Sequence, residues 1–127
     1  MKVVKRDNKD WPWLVTKQGN KTLPRSFDGI NFDHEYFSLA SRVLTIKVGY
    51  AIDGFTAFPD IKSEIHAAVY HDAILQAMDS GYITTSLTRD AHRVFRDSFK
   101  NKSLGKLLYL GIRAFYPIRQ WRKRVFK

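Results

Sequence analysis

Cysteine is absent from this 127-residue chain, which excludes disulfides, a thiolate nucleophile and any cysteine-based zinc site. Long apolar runs are missing too. A membrane-crossing helix needs roughly 20 apolar residues. The longest run here, Leu107 to Ile112, spans six residues between Lys106 and Arg113. The start, Met1 to Asp7, is charged and has no apolar stretch, so it does not read as a secretory signal. No glycine loop of the kind that cradles phosphate is present, and no serine sits in a nucleophile elbow. Acidic residues are missing from one whole stretch. Between Lys100 and Lys127 there are nine Lys or Arg and no Asp or Glu. The formal net charge is +10, and all 12 acidic residues lie before that stretch, so the body is nearly neutral and the excess belongs to the C-terminal end.

What remains is enough for one folded domain. Hydrophobic content of 44% and aromatic content of 14% can build a core, and the length fits a single unit covering 1–127. Arg42 to Val48 is the clearest strand, rich in β-branched residues, with Val43, Thr45 and Lys47 on one face and Leu44, Ile46 and Val48 on the other. Trp11 to Lys17 reads as an edge strand, Gly19-Asn20 as a turn, and Leu23 to Phe37 as loop. Three helices follow. The first spans about 62–78 and is stopped by Asp79-Ser80-Gly81. The second spans about 85–100 behind Thr85-Ser86 as caps. The third starts at Ser103 as a cap and bends or ends at Pro117. The expected fold is α+β: a small N-terminal antiparallel sheet against three C-terminal helices, the first two an antiparallel pair. Residues 118–127 form a basic, projecting tail.

Chemistry concentrates in the first helix. His71-Asp72 sits in an otherwise apolar segment, Ile65 to Leu75, where an imidazole is poised to titrate near neutral pH. A carboxylate from the neighbouring helix would fix its tautomer, and Asp90 is placed for that role at the border of the second helix's apolar stripe. The same three residues, with Arg93, also suit a buried polar network that specifies packing. Asp53-Gly54 offers a carboxylate and a carbonyl to a hard cation such as calcium, and it equally reads as a turn. His34, His66 and His92 lack metal-ligand spacing and read as surface or packing residues.

The C-terminal segment interleaves Leu107, Leu108, Tyr109, Ile112, Phe115, Ile118 and Trp121 with cations, among them Arg113, Arg119, Arg122, Lys123 and Arg124. Leu107 to Phe115 suits a core helix. The rest suits an anionic membrane surface, a nucleic-acid backbone or an acidic protein partner.

Taken in order, Asp53-Gly54, Pro59, His71-Asp72, Arg89-Asp90, Phe95 and Tyr109 through Gly111 to Phe115 resemble a phage- and prophage-borne family, the domain of unknown function 1353. The resemblance covers about residues 42–121. It implies a phage origin, with a place in the host cytoplasm or the virion and another phage protein as a partner. The two-helix core is also similar to secreted phospholipase A-two. That likeness implies His71 as the base that activates water, Asp90 as its orienting acid, and Asp72 with Asp53 and Gly54 as a calcium site for ester hydrolysis at a bacterial membrane. The chain departs from the pattern at Leu75, where a tyrosine is expected. It also has one extra residue before Pro59, and it lacks the bracing disulfides.

Overall fold

Short strands precede three helices, and His71 lies on the first of them. The computed structural model describes residues 1–54 and 62–126, with side chains as far as Ala114. Strands β1 (Lys2–Lys5), β2 (Trp13–Lys17), β3 (Gly19–Thr22), β4 (Phe32–Asp33), β5 (Phe37–Ala40), β6 (Val43–Ile46) and β7 (Ala51–Ile52) lead into α1 (Ile65–Asp79), α2 (Thr88–Asp97) and α3 (Lys102–Phe126).

The chain adopts the α+β class expected of it. Its strands form two antiparallel sheets, ordered β1-β2-β7 and β3-β6-β5-β4. Gln18 alone separates β2 from β3, so the chain passes between the sheets at that residue. β2 is central in its sheet rather than an edge. Its neighbours β1 and β7 are too short, at four and two residues, to show a period in the sequence. Alternation holds where strands face the core. Phe37, Leu39, Leu44 and Ile46 are fully buried, while Ser38 and Thr45 between them are only partly covered.

Helix α1 buries 11 of its 15 residues, which fits a helix apolar on all sides and packed on several. It meets β6 on one side and α2 on another, and α2 in turn packs on α3. Its stop is built as expected: Gly81 takes φ 84°, its amide bonds to the Met78 carbonyl, and the Tyr82 amide reaches the Ala77 carbonyl. Glu64, just before α1, is buried. Its carboxylate accepts from the backbone amides of Lys100 (2.8 Å) and Asn101 (3.3 Å), tying the start of α1 to the α2–α3 turn.

Asn101, two residues before the expected Ser103, caps α3 by accepting from the Leu104 amide at 3.1 Å. Gly105 lets α3 approach α2: a Cβ there would lie 2.6 Å from the Arg96 carbonyl oxygen and 2.9 Å from Phe99 Cβ. α3 does not end at Pro117 but continues to Phe126, so the basic residues from Arg119 to Arg124 extend the helix. Proline removes one amide from the ladder, and Arg119, Gln120, Arg122, Lys123 and Arg124 beyond it favour further helix.

Candidate functional site

His71 lies in the interior at the α1–α2 contact, only 6% exposed. Its Nε2 is 2.9 Å from Nδ1 of His92, itself 4% exposed, and the Phe95 ring covers it at a centroid distance of 4.9 Å. A neutral pair makes this bond in one of two ways, with either ring donating and the other accepting. Burial, with Arg113 of α3 adding to it, lowers the pKa of His92 to about 4. At neutral pH His92 is therefore uncharged. It fixes the ring of His71 but brings no negative charge to an imidazolium, which is what an orienting aspartate contributes.

Asp90 has another partner. Its carboxylate is 3.5 Å from Arg93 Nη1, one turn along α2, and its side chain is 25% exposed. Among the described contacts, the imidazole set against His71 is His92, which sequence reasoning assigned to packing or surface. A signal for it was present: His92, Phe95 and Phe99 follow one another at spacings of three and four, the rhythm of a helix face turned to the core.

Asp53 and Asp72 both act electrostatically on Tyr50. Tyr50, 5% exposed, donates its hydroxyl to Gln76 Oε1 at 3.1 Å. Its pKa is raised, first by burial and then by the charges of Asp72 and Asp53. The charges at the end of β7 and in the middle of α1 therefore both act on this phenol. Asp53 is exposed and Gly54 buried, the latter at φ 112°. Phe55, Thr56 and Pro59 of the expected loop lie outside the described residues. Among the described residues, no group of three His, Asp or Glu is arranged to hold a metal ion. Two carboxylates and the Gly54 carbonyl would supply only part of the six to eight oxygens calcium takes.

The basic residues fall on α3. Arg113 lies 5.7 Å from the Tyr109 ring centroid, and Arg96 of α2 lies 5.0 Å from the same ring. Leu108, Tyr109 and Ile112 are buried, whereas Lys106, Leu107, Leu110, Arg113 and Ala114 are exposed. The side chains of Arg119, Trp121, Arg122, Lys123 and Arg124 lie outside the described residues, although their backbone is helical. No helix among the described residues is long and apolar enough to cross a membrane. Comparison with family models, with curated proteins and with solved structures finds no match.

Proposed function

We propose that this protein is a binding module that engages an anionic partner through α3, with the rest of the fold as its support. In the setting the phage resemblance implies, it is a virion or assembly component. The observation that carries this reading is the placement of charge: nine cations and no acid from Lys100 to Lys127, on a chain whose body is almost neutral. Such a one-sided field draws polyanions and gives salt-dependent binding. The test compares two triple reversals of equal net charge on heparin resin. One is Lys106→Glu, Arg119→Glu, Arg122→Glu on α3. The other is Lys9→Glu, Lys17→Glu, Arg25→Glu at exposed sites of the body. The α3 triple should elute at clearly lower salt. Equal shifts for both would overturn the reading.

A second reading, a calcium-dependent phospholipase-like hydrolase, is favoured by two carboxylates, Asp72 and Asp53, whose charges both act on Tyr50. His71 would be its base and Asp72, Asp53 and Gly54 its cation ligands. It ranks second because His71 is buried with Nε2 bonded to His92. Release of fatty acid from phosphatidylglycerol vesicles in calcium, lost in His71→Gln, would place it first. No release in calcium would remove it.

A further inference from the structure

The face of α3 turned away from α2 is apolar as well as basic-flanked. Leu107 is 64% exposed and Leu110 62%, the highest values for large apolar side chains among the described residues. With Ala114, also exposed, they recur at spacings of three and four residues, a stripe along the helix opposite Leu108, Tyr109 and Ile112. Lys106 and Arg113, both exposed, lie along one edge of the stripe. In sequence the same spacing continues at Ile118, Trp121 and Val125, among Arg119, Arg122, Lys123 and Arg124.

We propose that α3 lies in the plane of an anionic phospholipid surface, with Leu107 and Leu110 entering the acyl boundary and the flanking cations meeting headgroup phosphates. This rests on the reading that α3 is the binding element, and it names the partner. Three arguments select lipid. A helix with one face rich in cations and another of bulky apolar groups partitions with its apolar side about 5–10 Å into the headgroup and acyl boundary. A nucleic-acid backbone pairs with the cations but leaves the two leucines in water. A second copy would bring nine more cations against nine, with no acid on either segment to offset them.

The experiment uses the full chain with vesicles of phosphatidylcholine alone or mixed with phosphatidylglycerol, read by co-sedimentation. The variant is Leu107→Gln with Leu110→Gln, two exposed positions whose change leaves the core and the charge untouched. The wild type should sediment with the phosphatidylglycerol vesicles and stay in solution with phosphatidylcholine alone. The variant should bind between about tenfold and about a hundredfold more weakly, the loss expected for two largely exposed leucines that no longer enter lipid. Its heparin retention should be unchanged, because its charge is unchanged. Vesicle binding that ignores the leucine changes would overturn the proposal. So would absence of vesicle binding in a protein that heparin still retains through α3, as would self-association in sedimentation that the leucine changes abolish. Failure of the underlying reading looks different: heparin retention itself would then not depend on α3.

Discussion

Phe95→Ala is expected to cost about 3–5 kcal/mol in urea unfolding, the usual range for removing a fully buried phenyl ring. Phe95 is 1% exposed, with the His71 and Phe99 rings each at a centroid distance of 4.9 Å. The void left behind would open directly onto the histidine pair, and α2 is held between α1 and α3, so the site has little room to collapse. A domain of this size typically has about 5–15 kcal/mol in total. The loss should therefore be plain in the midpoint. A loss below about 1 kcal/mol would mean that the packing around His71 is loose enough to close over the gap.

Acid should be the second large destabiliser. His92 has a folded pKa of about 4 against an ordinary value of 6.5, so the native state binds fewer protons than the unfolded chain between those limits. Its contribution is fully present above pH 6.5 and is lost as pH falls toward 4. The shift, set first by burial, corresponds to on the order of 2 kcal/mol once solvent screening is allowed for. Thermal melts should show stability falling across that window. In an NMR titration the His92 ring signals should keep their neutral positions down to about pH 5. A midpoint for His92 near its ordinary value would show that the pair is not sealed from water.

Much of the architecture was legible before any coordinates. β-branched residues marked β6, and an apolar segment with a Ser-Gly stop marked α1 and its end. What escaped has physical causes. β4 and β7 are two residues long, too short for local preference to mark them; β4 is extended by pairing with the next strand, β5, and β7 by pairing with the distant β2. The same distance effect makes β2 central. Pro117 is a local stop that the helix formers after it override. At the site, the burial of His71 was readable from its apolar neighbours. Its partner was legible only as a core-facing position, since the spacing of His92, Phe95 and Phe99 marks a buried face but not which side chain meets His71. Asp90 is a suitable residue type at the helix border, yet Arg93 lies one turn away and pairs with it. The double-faced character of α3 is half visible in its sequence: the cations and leucines stand there, but only packing tells which leucines are covered.

The Glu64 carboxylate spans 36 and 37 positions of sequence to reach the Lys100 and Asn101 amides. That makes the α2–α3 turn and the first turn of α1 a single cooperative latch. Neither end can fray alone without stranding a buried carboxylate, so opening at one should carry the other with it. The helix proposed to meet the membrane is thus fastened, at its root, to the helix that holds His71.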